Sequence, residues 1–246
     1  MGILSIIVLN YNRLKYTKQT ISSLIKNTSI KHEFIFVDNG STDGTREYLK
    51  SLKNKTNASR EILVFNKYNY GVAGGRSSGL IHARGDYLMT IDDDVLVPSG
   101  YDKHIASVCD NVKKIGVTGI NVEKRKYPIV KINGVDVQLK KDNLGGACLC
   151  LPRRVFGRVG YFSPDFVYGG EDLDLYFRVK ELGLISAYIV PNGKHIDRRE
   201  NKDYELLKKQ AHQQDSEQVK KAISNAIEYR KRGSVFVPYR IPDRFD

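Results

Sequence analysis

Near the amino end, Ile3–Leu9 is a run of aliphatic side chains broken only by Ser5. A strand with one wet face alternates apolar and polar residues. A nearly continuous run is apolar on both faces and has to be covered from both sides, which is the habit of strands in a parallel sheet flanked by helices. The next segments agree with that habit. The run ends in Asn10-Tyr11-Asn12-Arg13, and Leu14–Lys26 then places Leu14, Thr17, Ile21, Leu24 and Ile25 at helical spacing. Glu33–Val37 reads as the second strand. The loop Asp38-Asn39-Gly40-Ser41-Thr42-Asp43-Gly44 is dense in turn formers and supplies caps for a helix over Thr45–Leu52, and Glu61–Asn66 is a third strand. Strand, polar loop and helix recur often enough to predict an α/β fold with a mostly parallel central sheet.

Two acidic constellations stand out. In Gly85–Pro98 a short strand, Tyr87–Ile91, runs into Asp92, Asp93 and Asp94. Three adjacent like charges at a strand end are tolerable when solvated or when a hard divalent cation sits among them, and Mg²⁺ or Mn²⁺ suits oxygen ligands. The carboxyl ends of strands are also where ligands bind in open α/β sheets. The second constellation is Gly169-Gly170-Glu171-Asp172-Leu173-Asp174, a glycine turn opening a helix with acidic residues first. Glu171 and Asp174 suit the positive helix end, whereas Asp172, beside aromatics and flexible glycines, has the setting of a general base with a raised pKa. Between the two runs Asn69–Gly79 is rich in glycine. It leads into a helix to about Ala83; its glycines, Gly71 and Gly75 among them, let a backbone approach a ligand, or else let the helix pack tightly, and Arg76 near the helix start is placed to reach a phosphate. It matches neither the G-x-x-x-x-G-K-[ST] nor the G-x-G-x-x-G fingerprint.

Further strands are predicted at Ile115–Asn121 and Ile185–Val190, a helix over Tyr101–Asn111 and a basic hairpin within Glu123–Asn143. His195, just after a strand, is a candidate additional metal ligand, and Asp203–Lys231 reads as a helix before a tail. With 40 Lys and Arg against 28 Asp and Glu, the net charge of +12 implies an anionic partner. Cys109, Cys148 and Cys150 form no paired framework, which points to a reducing, cytoplasmic setting. No apolar run reaches the ~20 residues of a membrane span, and neither a signal peptide nor a myristoylation signal is expected.

In their order along the chain, Asn10-Tyr11-Asn12-Arg13, Val37–Thr45, Asn69–Gly79, the aspartate triplet with Pro98 and Gly170-Glu171-Asp172 resemble a GT-A-fold glycosyltransferase of the family-2 inverting group. The Gly-Gly-Glu-Asp-x-Asp form also resembles the β-1,4-galactosyltransferase group. The resemblance covers about Leu4 to His195. It implies a single Rossmann-like GT-A domain over residues 1–200, with a nucleotide-binding half at 1–98 and an acceptor half at 99–200, and a helical C-terminal extension at 201–246. It implies Mn²⁺ or Mg²⁺ on Asp93 and Asp94, with His195 completing the site. The donor would be a nucleotide-sugar, UDP first, because Asp38 accepts the imide N–H of uracil or thymine. Tyr11 would stack on the base, with Asn10, Asn12, Asn39, Gly71, Gly75, Arg76, Asp92 and Asp93 around the donor. Asp172 would be the catalytic base, and Tyr168, Gly170 and Glu171 would meet the acceptor. That acceptor is expected to be an anionic glycan or glycolipid, with peripheral contact to a membrane surface. Hydroxyl-bearing modified DNA, or noncatalytic nucleotide binding, are the alternatives.

Overall fold

The structure is a computed structural model and describes residues 1–196 apart from 124, 164, 167 and 168. The helix expected over Asp203–Lys231, the tail and Tyr168 lie outside the described residues. In chain order the elements are β1 (Leu4–Asn10), α1 (Leu14–Asn27), β2 (His32–Asp38), α2 (Thr45–Ser51), β3 (Glu61–Phe65), α3 (Gly71–Leu80), β4 (Tyr87–Asp92) and β5 (Val95–Leu96). After these come α4 (Tyr101–Asn111), β6 (Ile115–Gly119), β7 (Ile129–Ile132), β8 (Val135–Leu139), β9 (Cys148–Pro152), α5 (Arg153–Val159), α6 (Glu171–Glu181), β10 (Ile185–Ile189) and β11 (Lys194–His195).

Nine strands form one sheet in the order β3-β2-β1-β4-β9-β6-β10-β8-β7. The fully buried β1 sits inside it, flanked by β2 and β4, with apolar clusters on both faces as its unbroken run requires. The pairs β3/β2, β2/β1 and β1/β4 are parallel. Beyond β4 the expectation of a mostly parallel sheet fails. β9 runs antiparallel to both β4 and β6, β10 is parallel to β6, and β8 and β7 close the edge antiparallel, so the sheet is mixed. The reason is local. Residues 145–152 are small and apolar, and nothing in such a short run reports strand direction.

Two features fix the geometry around the strand ends. The parallel register pairs Asn10 with Asp38 and Leu9 with Asp92, so the polar termini of β1, β2 and β4 finish at one level. Because β9 is reversed, its first residue, Cys148, pairs with Ile91 near the end of β4, and Asp92 N donates to Ala147 O at 2.9 Å. The loop before β9 is thereby carried to the same edge.

The expected helix is α3, and it begins within the glycine-rich run, at Gly71. Side chains at Gly75 and Gly79 would overlap Leu9 and Ile7, residues of β1, so the bare faces let α3 lie directly on the sheet. The expected hairpin is β7–β8, turned by Asn133 and Gly134, both with positive φ, as a two-residue type I′ turn requires. No helix among the described residues is long and apolar enough to cross a membrane.

Candidate active site

At the end of β1, Asn10 is fully buried and its amide donates to the carbonyls of Val8 (2.9 Å) and Val37 (3.0 Å), tying β1 to β2. Asn12, with φ 51°, donates its N–H to Ser41 Oγ at 3.0 Å and accepts from Thr42 N at 2.7 Å. The two strand-end loops are thus locked together. Tyr11 between them is exposed, its ring turned out where a planar group can lie on it.

Asp38 and Asn39 follow at the end of β2. Asp38 is fully buried, accepting from Ser41 N (3.0 Å) and from Arg46 Nε (2.6 Å), so its carboxylate already organises the turn and a partly exposed arginine. Asn39 is spent on Asn69, Gly71, Asn66 and Tyr70. Gly71, with φ 71°, accepts from Asn39 through its carbonyl, and Gly75 lies so close to Leu9 and Asn39 that a side chain there would overlap Leu9.

The aspartate triplet is shared among two arginines and a histidine. Asp92 accepts from Arg76 Nη2 at 2.7 Å. Asp93 and Asp94, both buried, share Arg13: Nη1 lies 2.7 Å from Asp94 Oδ2 and 3.3 Å from Asp93 Oδ1. His195 Nε2 lies 3.2 Å from Asp94 Oδ2, held there because β11 pairs antiparallel with β5, His195 opposite Val95. Burial pushes the Asp93 carboxyl well above the usual carboxylate range, against the opposing pull of Arg13. Burial also opposes ionisation of Asp94, but hydrogen bonds and charge from His195 and Arg13 outweigh it and hold that carboxyl below its ordinary value. Asp94 Oδ1 is buried with no hydrogen-bond partner.

Arg76, expected to reach a phosphate, is instead 1% exposed, with Nη1 2.9 Å from Glu171 Oε1 and Nη2 bonded to both Asp92 and the Gly146 carbonyl (2.8 Å). Its guanidinium therefore joins the end of β4, the loop before β9 and the first residue of α6. Glu171, buried, is pushed up to about 7 by desolvation despite the charge of Arg76. Gly170, with φ 90°, turns the chain into α6. Asp172, half-buried, accepts from Asn143 Nδ2 at 3.1 Å and from its neighbour Leu173 N at 2.8 Å. Burial raises its pKa, with Arg76 opposing.

Five of the expected residues, Asp92, Asp93, Asp94, His195 and Glu171, are thus joined, directly or through Arg13 and Arg76, into ion-pair networks at one edge of the sheet. Asp172 lies beside Glu171 on the same helix turn. Sequence reasoning assigns no role to Arg13, Arg46 or Asn143. Arg13 stands within the first strand-end cluster and has an acidic triplet to answer, a signal that could have found it; Asn143 sits in a loop with no local signal. Among the described residues no three His, Cys, Asp or Glu side chains converge into a ready-made metal cluster. The donor chemistry still fits a hard divalent cation: two carboxylates, one carrying an unpartnered buried oxygen, and an adjacent imidazole. A separate cavity of about 370 Å³, lined by Gly2, Asp86, Tyr87, Asp110, Arg153 and Arg154, lies at the opposite ends of β1 and β4 and shares none of these residues.

The sequence comparison assigns the chain to a family. The profile of Glycosyl transferase family 2 matches residues 5–130, just over half of the chain, and the chain belongs to that family. It is 26% identical over 205 residues to an uncharacterized glycosyltransferase of Haemophilus influenzae, covering 76% of this chain and 62% of that one. It therefore spans less than two thirds of that relative. The fold is similar to the mannosyltransferase PcManGT from Pyrobaculum calidifontis, solved with GDP-Man and Mn²⁺ (TM-score 0.63, 19% identity, 83% of this chain and 59% of that one). It is also similar to GalNAc-T7, solved with UDP, GalNAc and Mn²⁺ (TM-score 0.64, 16% identity, 80% and 44%).

Proposed function

We propose that this chain is a metal-dependent inverting glycosyltransferase that moves a sugar from a nucleotide-sugar to a hydroxyl of a glycan or glycolipid. The observation that carries the reading is the Asp92–Arg76–Glu171 bridge: it fixes the acidic end of β4, with Asp93 and Asp94, to the helix that bears Asp172. A cation site and a base on one rigid frame are what displacement at an anomeric carbon needs. Asp93 and Asp94 would hold Mn²⁺ or Mg²⁺, with His195 beside them. Bound there, the cation would offset the charge that builds on the departing diphosphate. Asp172 takes the acceptor hydroxyl proton, the acceptor oxygen bonds to the anomeric carbon, and the bond to the diphosphate oxygen breaks with its electron pair. One displacement inverts the centre.

Nucleotide binding is assigned to residues 1–98, with Tyr11 as the stacking face for the base. A UDP-sugar is favoured on the strand-end motifs, although the solved relatives carry GDP in one case and UDP in another. Arg46, oriented by Asp38, joins Asp38 as a group able to read the base edge. Arg76 is assigned a positioning role, since its terminal nitrogens are committed to protein partners. Gly170 and Glu171 lie on the acceptor side. An anionic acceptor at a membrane surface is favoured by the net charge of +12 and by the surplus of Lys and Arg within residues 123–143, on either side of the β7–β8 hairpin.

Slow hydrolysis of a nucleotide-sugar panel with Mn²⁺ or Mg²⁺ tests the reading against Asp94→Ala and Asp172→Asn. Turnover of one UDP-sugar that requires metal and Asp94 is expected. No hydrolysis of any donor, together with no calorimetric binding of UDP with Mn²⁺, would overturn it.

A further inference from the structure

The proposed transfer reaction leaves Arg13 without a role, yet this side chain lies closest of all to the proposed metal ligands. Its Nη1 sits between Asp94 Oδ2 and Asp93 Oδ1, at 2.7 and 3.3 Å, the position that a cation bound by both carboxylates would take. We propose that Arg13 is a built-in counter-cation that a divalent metal must displace from Asp93 and Asp94, so that metal loading is coupled to arrival of the nucleotide diphosphate.

Three observations support this coupling. Asp93 and Asp94 are adjacent and buried, and Arg13 is the arginine placed between them, while Arg76 is committed to Asp92 and Glu171. A dication on the same two oxygens would stand within bonding distance of the guanidinium, and like charges so placed repel strongly, so one must leave. The backbone on either side of Arg13 is pinned, Asn12 N to Ser41 Oγ at 3.0 Å and Leu14 N to Asp43 Oδ2 at 2.8 Å, which confines the motion to the side chain. Arg13 is already partly exposed and its guanidinium lies 5.1 Å from the Tyr16 ring centre, a face it can follow outward. A diphosphate arriving with the metal offers the released guanidinium a second anion, to which it binds with comparable strength.

Coupling of this kind is reciprocal: nucleotide raises metal affinity and metal raises nucleotide affinity by the same factor. The inference rests on Asp93 and Asp94 being metal ligands, and the test separates the two ideas. Mn²⁺ is titrated calorimetrically into wild type, Arg13→Gln, Arg13→Lys and Asp94→Asn, each with and without UDP. Without UDP, Arg13→Gln is expected to bind Mn²⁺ roughly tenfold or more tightly than wild type, since no charge-assisted hydrogen bond has to be broken. Arg13→Lys, which keeps the charge, stays near wild type, and saturating UDP narrows the gap between wild type and Arg13→Gln. Equal Mn²⁺ affinities for wild type and Arg13→Gln in the absence of UDP overturn the proposal and leave the metal site standing. If none of the proteins binds Mn²⁺ in either condition, the metal site itself falls and the counter-cation role with it. Arg13→Met, which keeps the aliphatic stem against Tyr16, is titrated in parallel and gives the same decision should the glutamine variant fail to fold.

Discussion

The two sides of the sheet place their site residues by different means. From β1 to β4 the strands are parallel and in register, so each chemically active residue is simply the last of its strand or the first of the following loop: Asn10, Asp38, Asp92. From β6 to β11 direction alternates, and the residues that matter arrive from far along the chain: Gly146 on the loop before the reversed β9, Glu171 and Asp172 at the start of α6, His195 on a two-residue strand. The first side needs only the sheet to be correct. The second depends on side-chain contacts that hold separate segments together, and Arg76 makes several of them at once.

The largest effect expected from breaking this division is chemical and comes from the second side. Asp172→Asn keeps shape but removes the proposed base, and transfer should fall by ~10²–10⁴-fold, the usual contribution of a positioned general base. UDP and Mn²⁺ binding should be unchanged when measured by calorimetry. Asp94→Asn should do the reverse, weakening Mn²⁺ binding first and turnover as a consequence. Loss of nucleotide binding in Asp172→Asn would mean that the two sides are not separable functions.

The same contrast explains what could be read from the residues alone. The Ile3–Leu9 run required cover on both faces, and the βα order around it led directly to the parallel half, which, Leu4 apart, falls within residues 5–130, the part matched by the family profile. The aspartate triplet was legible because its position at a strand end is itself a statement about location. Arg76 was visible as a basic residue, but its partners are 95 residues away at Glu171 and 70 away at Gly146, and burial decides between a phosphate ligand and an internal bridge. Sequence spacing carries no record of burial at that range. The glycines of α3 left two readings open for a related reason: a bare face looks the same whether it meets a ligand or, as Gly75 and Gly79 do, the β1 strand. Asp38 was identified as polar and strand-terminal, and only the fold shows that Arg46 and Ser41 already hold it.

Arg76→Met tests the bridge as structure. Removing one partner from a buried ion network leaves the others uncompensated, and a loss of about 3–5 kcal/mol in urea unfolding is expected. The exposed Lys131–Asp136 pair at 3.7 Å on the β7–β8 hairpin is the control, where Lys131→Met should cost about 0–1 kcal/mol. Similar losses would show that Arg76 is not the clamp between the two sides.

A smaller effect is expected at Glu171. Desolvation raises its pKa from an ordinary 4.5 to about 7 in the folded chain, against the attraction of Arg76. Folding therefore favours the protonated form. The stabilisation is fully present below about 4.5 and is lost as pH rises through about 7. Wild type should lose stability relative to Glu171→Gln across that window, as followed by urea midpoints at a series of pH values. Parallel curves for the two proteins would place Glu171 as a permanent carboxylate and make the Arg76 bridge fully ionic.

The smallest and most local effect concerns Asn143, whose amide donates to Asp172 Oδ2 at 3.1 Å from the loop before β9. A donor to a carboxylate favours its charged form and so lowers its pKa, here against burial, which raises it. Asn143→Ala should therefore raise the Asp172 pKa further. A hydrogen bond to a charged group contributes ~1.5–3 kcal/mol when fully buried, and half-burial reduces that, so the acidic limb of kcat/KM should move up by roughly one pH unit. Above that limb, where Asp172 is ionised in both proteins, the rates should converge, and Mn²⁺ affinity should not change. Asn143→Asp should move the limb further in the same direction, because a like charge replaces a donor. A limb that stays in place in both variants would mean that Asn143 only packs the loop, and that the base on the second side is positioned by the Arg76 bridge and the α6 backbone alone.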